Sequence, residues 1–347
     1  MIENTKENHL KESKMMEIKK PNSCILLITL RCNLRCKVCY LWANKEDPSQ
    51  YPSIDEWKRF LDSIDSFAEK PFTIIFGGGE PLLDKEKLLN LMSYASQKGF
   101  RISLATSGYY MDEATVKQLC GAGLHYCAFS LYSLSDKKQS YLRGVKGSVK
   151  RVKNAVKYFS RYGPHVEIAI DTVLMEPNRR HILKLTEWVK NNKAVSHIMF
   201  QVVMQPFHTK PDEKWYFDGR YKFLWPKEPG KMTAVIDSLI DIKILEEEEG
   251  GGKINNSVAQ FRIFKDYFTS PNKFIKKEVC PTYNNGNFGV APDGAVTLCP
   301  YIKPIGNIKK QSLDEIWFSD ESRRRREEIR HCVRNCHHIV NCWYEEE

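Results

Sequence analysis

The 347-residue chain has no apolar run that approaches the roughly eighteen residues a membrane-spanning helix needs. Its first twenty residues are polar and charged and lack the apolar core of a secretory signal. The sequence therefore predicts a disordered N-terminal tail over 1–20 and a cytoplasmic protein. Charge is plentiful but little patterned. The net charge of +10 is spread along the chain, and its densest piece, Arg323 to Arg326, falls in a helix-like segment that reads as a solvated face. Nucleic acid is thus a disfavoured partner. Without a secretory context, eleven cysteines argue against a disulfide scaffold and for metal or redox chemistry.

Three of those cysteines are close together. The apolar run Cys24 to Leu30 reads as a buried strand, and Cys32, Cys36 and Cys39 follow in the loop past its end. Cubane iron–sulfur clusters are held by cysteine thiolates, one per iron. Three cysteines leave one iron of a [4Fe–4S] cube open to a substrate or cofactor. The alternative, a zinc knuckle, needs a fourth ligand close by, and the segment supplies none.

Downstream, strands alternate with helices. Strands are expected at 72–76, 101–105, 124–131, 166–174 and 196–203, and helices at 53–68, 85–97, 112–120, 145–162, 179–191 and 231–249. Counting from Cys24 there are six strands. Such alternation means parallel strands joined by helical crossovers, so the fold class is α/β, a partial (β/α)6 TIM barrel or open parallel sheet over 21–250. Gly250-Gly251-Gly252 reads as a joint. Residues 251–347 follow as a linking helix, 258–268, and a small cysteine-rich extension built on a β-hairpin around Pro292-Asp293-Gly294.

Ligands of parallel α/β folds sit at the carboxyl ends of the strands. The cysteine loop follows strand one there, and Gly77-Gly78-Gly79-Glu80-Pro81 follows strand two. Glycines let the backbone approach a ligand and offer its carbonyls, and Glu80 or those carbonyls can accept from an ammonium. Ser107, Ser130 and Val173 end strands three, four and five, while Arg143 falls in a following loop, where it reads either as a ligand-gripping residue or as a surface arginine. The stretch 205–230 is irregular and rich in aromatics, and reads as a substrate lid or as a private packing cluster. Near the C-terminus, Cys280, Cys299, Cys332, Cys336 and Cys342 form a second metal-type set. Cys24, Cys120 and Cys127 read as core thiols.

The spacing Cys32-x3-Cys36-x2-Cys39 resembles the signature of the radical S-adenosylmethionine (SAM) enzymes. The C-terminal order, Cys280, Gly294-x4-Cys299, then the clustered cysteines, resembles the SPASM or twitch extension of that superfamily. The resemblance implies a SAM-binding [4Fe–4S] cluster on Cys32, Cys36 and Cys39, with SAM held by Gly78, Gly79, Glu80, Ser107, Ser130, Arg143 and Val173. It also implies one auxiliary [4Fe–4S] cluster on Cys280, Cys299 and two of Cys332, Cys336 and Cys342. Two departures stand out: Val38 where many members carry an aromatic residue, and Tyr132 where a carboxylate reaches the SAM ribose. The implied activity is reductive cleavage of SAM to a 5′-deoxyadenosyl radical that takes hydrogen from a peptide or a small molecule such as a sugar, aminocyclitol or lipid-linked compound. A flavodoxin or ferredoxin would supply electrons, and the N-terminal twenty residues are too short for the leader-binding domain of many peptide maturases. An epimerase using a cysteine or tyrosine hydrogen donor is the alternative within the class. For the C-terminal module the alternative is a zinc site using His331, His337 or His338, and outside the class stands a non-enzymatic zinc-binding nucleic-acid or regulatory protein.

Overall fold

The structure is a computed structural model that describes residues 18–44, 47–273 and 279–342. Of the tail expected over 1–20, residues 1–17 lie outside the described residues. Strand β1 (Ser23–Thr29) buries Cys24, Leu26 and Ile28 on one face and turns Ile25 and Leu27 to the other, the period of two that a pleated strand imposes. Helix α1 (Ile54–Phe67) starts at Ser53, whose hydroxyl accepts from Glu56 N at 3.2 Å while the Glu56 carboxylate accepts from Ser53 N at 2.7 Å. It buries Trp57, Phe60, Leu61 and Ile64, each contributing about 1.5–3 kcal/mol.

The alternation continues as expected through β2 (Thr73–Gly78), α2 (Lys85–Gln97), β3 (Arg101–Thr106), α3 (Glu113–Gly121) and β4 (Leu124–Ser130). The next stretch differs from the sequence-based expectation. The helix expected over 145–162 is present as α5 (Ser148–Tyr162), and ahead of it stands a helix that the sequence pattern does not predict, α4 (Asp136–Arg143), the two divided by Gly144 and Gly147 at φ 72° and 75°. After β5 (Glu167–Leu174) comes a 3-10 turn, Glu176–His181, so α6 (Ile182–Lys190) begins three residues later than the expected 179. Strand β6 (His197–Val202) and helices α7 (Pro229–Glu248) and α8 (Val258–Thr269) follow.

The C-terminal hairpin, β7 (Asn287–Val290) and β8 (Ala295–Thr297), does not stand apart from the barrel. It joins the same nine-stranded sheet, β6-β5-β4-β3-β2-β1-β7-β8-β9, with β9 at Gly306–Asn307. The first six strands are parallel, and β7 runs parallel to β1 from Ser23↔Asn287 to Leu26↔Val290. Phe288 seats the hairpin on the helical layer, 6.3 Å from the Phe60 ring and 5.6 Å from that of Trp317 in α9 (Leu313–Trp317). Helix α10 (Asp320–Arg330) adds the buried Arg326, whose guanidinium lies 4.3 Å over Trp317 and donates to Tyr283 O at 2.5 Å.

The far edge, β6, is closed by side chains that mimic a strand. Asn256 accepts from Phe200 N at 2.7 Å and donates to Phe200 O at 2.8 Å, and Asn341 does the same for Val202 at 2.8 and 3.1 Å. Edge hydrogen-bonding groups are thereby satisfied. The C-terminal segment consequently touches both ends of the sheet.

The aromatic stretch 205–230 is irregular, as expected, apart from a short turn at Trp215–Phe217. Its side chains mostly form their own packing cluster. Trp215 Nε1 donates to His337 Nδ1 at 3.2 Å, and Trp225 lies 4.7 Å from Tyr216, 5.1 Å from Tyr267 and 5.4 Å from Phe268. One end of the stretch, Gln205, Phe207 and His208, borders the cavity described next, as does Met204 just before it.

Candidate active site

A cavity of about 650 Å³ opens at the carboxyl ends of the strands, where Cys32, Cys36 and Cys39 all border it. That volume lies in the roughly 300–1,000 Å³ range of small-molecule sites. The loop carrying the three thiols is fastened by the end of α4. Arg35 N donates to Arg143 O at 3.0 Å and Lys37 N to Leu142 O at 2.9 Å, so carbonyls that a helix end leaves unpaired are used to hold the loop. On its other side Tyr40 N donates to Phe207 O at 3.1 Å.

Cys32 and Cys39 are each pushed up to about 11, chiefly by burial and further by their neighbouring thiols, with Arg143 opposing. Such thiols become thiolates when a metal supplies positive charge. Among the described residues no three Cys, His, Asp or Glu side chains close around one ion position.

The glycine loop lies directly against this segment. Gly78 has φ 126°, and a Cβ on it would fall 2.2 Å from Thr29 O; one on Gly79 would fall 2.2 Å from Arg31 O. Only glycine allows that approach. Gly78 and Gly79 border the cavity, but Glu80 does not. The Glu80 carboxylate is fully buried and committed, accepting from Leu82 N (3.3 Å), Thr106 Oγ1 (2.8 Å), Ser107 N (3.0 Å) and the Ser107 hydroxyl. Of the two ammonium acceptors expected here, the glycines are the residues that border the cavity, and Glu80 ties their loop to the end of β3.

Ser107, Ser130, Val173 and Arg143 border the same cavity. Arg143 is no surface loop residue: it ends α4 and is buried. Its Nη1 donates to the Tyr132 hydroxyl at 3.0 Å, its guanidinium lies 5.0 Å over the Tyr132 ring, and its Nε has no partner among the described residues. A buried cation held by a neutral phenol keeps its charge available, which fits an incoming carboxylate. Sequence reasoning missed a second charged group, Asp171 on β5. One of its carboxylate oxygens is sealed from solvent with no hydrogen-bond partner, and burial pushes the group up to about 6. Its signal was legible: a lone carboxylate in the otherwise uncharged run Ile168 to Leu174.

The five C-terminal cysteines also gather. Cys299 feels Cys336, Cys280 and Cys332, while Cys342 feels Cys280 and Cys336. Of these thiols Cys299 borders the cavity that the cluster loop also borders. The histidines of the zinc alternative each have a neighbour, and His337 Nε2 is buried with no hydrogen-bond partner among the described residues. His337 accepts from Trp215, His338 packs between Phe207 and Tyr301 at 5.1 Å from each ring, and His331 sits against Glu327.

Comparison with known proteins agrees with this geometry. The profile of the radical SAM superfamily matches residues 26–189, and that of an iron–sulfur cluster-binding domain, SPASM, matches 280–343. The chain belongs to the radical SAM superfamily. It is an enzyme of that superfamily with a C-terminal SPASM module, and its cofactors are SAM, a SAM-binding [4Fe–4S] cluster and auxiliary iron–sulfur chemistry. It is similar to the Fe-coproporphyrin III synthase of Methanosarcina barkeri, 36% identical over 35% of this chain but spanning only 29% of that protein. It is also similar to the AdoMet-dependent heme synthase of the same organism, 25% identical over 85% of this chain and 81% of that one. The solved structure of anSMEcpe with bound AdoMet and a Cp18Cys peptide shares the fold, with a TM-score of 0.64 at 20% identity over 88% of this chain and 82% of that one. No helix among the described residues is long and apolar enough to cross a membrane.

Proposed function

We propose that the protein is a radical SAM oxidoreductase or maturase that takes a hydrogen atom from a peptide or small-molecule substrate and passes an electron from it to an auxiliary [4Fe–4S] cluster. The observation that carries this is that one cavity is bordered both by Cys32, Cys36 and Cys39 and by Cys299 of the C-terminal set. A substrate between them lies within reach of both redox centres. When bound, the first cluster and SAM supply the 5′-deoxyadenosyl radical.

The chain's own residues do the rest. Carbonyls of Gly78 and Gly79 orient the ammonium of SAM, Arg143 takes its carboxylate, and Val173 packs on its adenine. Leu27, Val38, Leu41, Trp42 and Phe207 give the cavity apolar walls that exclude water and stray hydrogen donors, as radical chemistry requires. Cys280, Cys299 and two of Cys332, Cys336 and Cys342 hold the auxiliary cluster. An acidic one-electron carrier such as a flavodoxin or ferredoxin is the reductant.

Relatives named for heme synthesis and a structural neighbour holding a peptide mark out the substrate classes to try. The test is to incubate the reduced, reconstituted enzyme with deuterated peptides, tetrapyrrole carboxylates and amino sugars, and to look for deuterium in 5′-deoxyadenosine. Transfer from one class identifies it. Formation of 5′-deoxyadenosine with no label from any class would remove these substrates, and no 5′-deoxyadenosine at all would remove the function.

A further inference from the structure

Parallel barrels ordinarily fill their interior with layers of bulky branched side chains. Here the inner face of the sheet is open where the C-terminal hairpin joins it. Gly289 of β7 stands between its register partners, Ile25 of β1 and Thr297 of β8, and residues paired in this way share a face. A Cβ on Gly289 would just touch both, at 3.4 Å from Ile25 Cγ2 and from Thr297 Oγ1, so the glycine leaves the space between them empty. All three residues border the cavity. It therefore runs from the cluster loop down the sheet to Asn287, opposite Ser23 at the start of β1.

At that end the hairpin and the turn before it supply hydrogen-bonding groups. Thr282, Asn285, Asn287 and Thr297 border the cavity. Asn285 Oδ1 accepts from Asn287 N at 3.0 Å, and Asn287 Oδ1 accepts from the Ser23 hydroxyl. Both Nδ2 groups are left with donors that no protein group takes among the described residues. Charge, in contrast, is scarce. Apart from the thiols, Arg143 is the one residue with a fixed charge that borders the cavity among the described residues, and the carboxylate of SAM claims it. The His208 imidazole, held below its ordinary 6.5 by burial, is neutral at pH 8. A substrate carboxylate brought to the hairpin would lose its hydration with no cation to meet it.

We infer that the C-terminal hairpin is the wall that reads the substrate, and that Asn285 and Asn287, with Thr282 and Thr297, recognise an uncharged molecule through its carbonyl or hydroxyl oxygens. This rests on the function proposed above and narrows it. A neutral peptide and a neutral sugar share that chemistry, and a tetrapyrrole carboxylate lacks it.

The test is anaerobic equilibrium dialysis of the reconstituted, unreduced, SAM-loaded enzyme with matched probes: N-acetyl-dialanine amide against its free acid, methyl glucoside against methyl glucuronide, and coproporphyrin III. Wild-type enzyme is expected to bind one of the neutral probes, peptide or sugar, and to bind its carboxylate counterpart at least about tenfold more weakly. Coproporphyrin III should not displace it. The double variant Asn285→Ala, Asn287→Ala should lose about tenfold or more in affinity for that probe, at wild-type iron content and SAM affinity. Asn287→Lys, which places a cation among these groups, should turn the preference toward the carboxylate. Wild-type enzyme that binds neither neutral probe, or that prefers a carboxylate or coproporphyrin III, overturns the assignment, and so do variants whose discrimination is unchanged. Failure of the wild-type enzyme to bind SAM overturns the underlying function and this assignment with it.

Discussion

Asp171→Asn should stabilise the ligand-free protein, and only above a defined pH. Burial raises the Asp171 carboxyl from its ordinary 3.8 to about 6. The folded state therefore holds this proton more tightly than the unfolded chain does, and stability falls as pH climbs from about 4 to about 6. Two pKa units correspond to about 3 kcal/mol at 1.36 kcal/mol per unit, and partial exposure of the residue trims this to about 1–3 kcal/mol. Asparagine has no charge to bury, so it escapes that cost at pH 8 and gains almost nothing near pH 3.5, where the carboxyl is protonated in the fold and largely so in the unfolded chain. For a chain of this size, about 2 °C of melting temperature per kcal/mol is the expected scale. Thermal melts of reconstituted protein without SAM should show the variant about 2–6 °C above wild type at pH 8, converging with it near pH 3.5. A shift of equal size at both pH values, or a variant that melts lower at pH 8, refutes the picture of an unpaired buried carboxylate.

Glu80→Ala strands the Leu82 and Ser107 amides and the Thr106 hydroxyl inside the protein, and should cost about 3 kcal/mol in a melt or denaturant series, with Glu80→Gln costing less. Gly79→Ala puts a methyl 2.2 Å from Arg31 O and 2.4 Å from Leu30 O. It should therefore displace the cluster loop, seen as loss of about half the iron on reconstitution and of measurable SAM binding. Arg143→Met should weaken SAM binding by about 10–100-fold in equilibrium dialysis, the worth of a charge-assisted hydrogen bond, whereas Tyr132→Phe should weaken it only a few-fold.

Much of this site was legible in the sequence because its chemistry is local. The cysteine loop, the glycine loop and the strand ends that carry Ser107, Ser130 and Val173 are each a few consecutive residues, and parallel topology alone puts them on one face. What escaped depends on long-range pairing or on a polar helix. Helix α4 reads Asp-Lys-Lys-Gln-Ser-Tyr-Leu-Arg, with too few apolar residues to show a 3.6-residue period, yet it buries Gln139, Leu142 and Arg143 under the cluster loop. That is why Arg143 passed for a loop residue. The pairing of β1 with β7 joins residues more than 250 positions apart, and no local pattern announces it. Asn256 and Asn341 close the edge of β6 through side-chain amides, which in sequence look like any loop asparagine. The aromatic stretch was ambiguous for a related reason: composition shows that Trp215, Tyr216 and Trp225 pack together but not that α8 and His337 receive them.

The most direct measurement is the product of one reduction. Anaerobically reconstituted enzyme should carry about eight irons per chain and, given dithionite and SAM, release 5′-deoxyadenosine and methionine. The triple variant Cys32→Ala, Cys36→Ala, Cys39→Ala should keep about four irons on its C-terminal cysteines and release neither product. Wild-type enzyme that leaves SAM intact, or a triple variant that still cleaves it, would contradict the account.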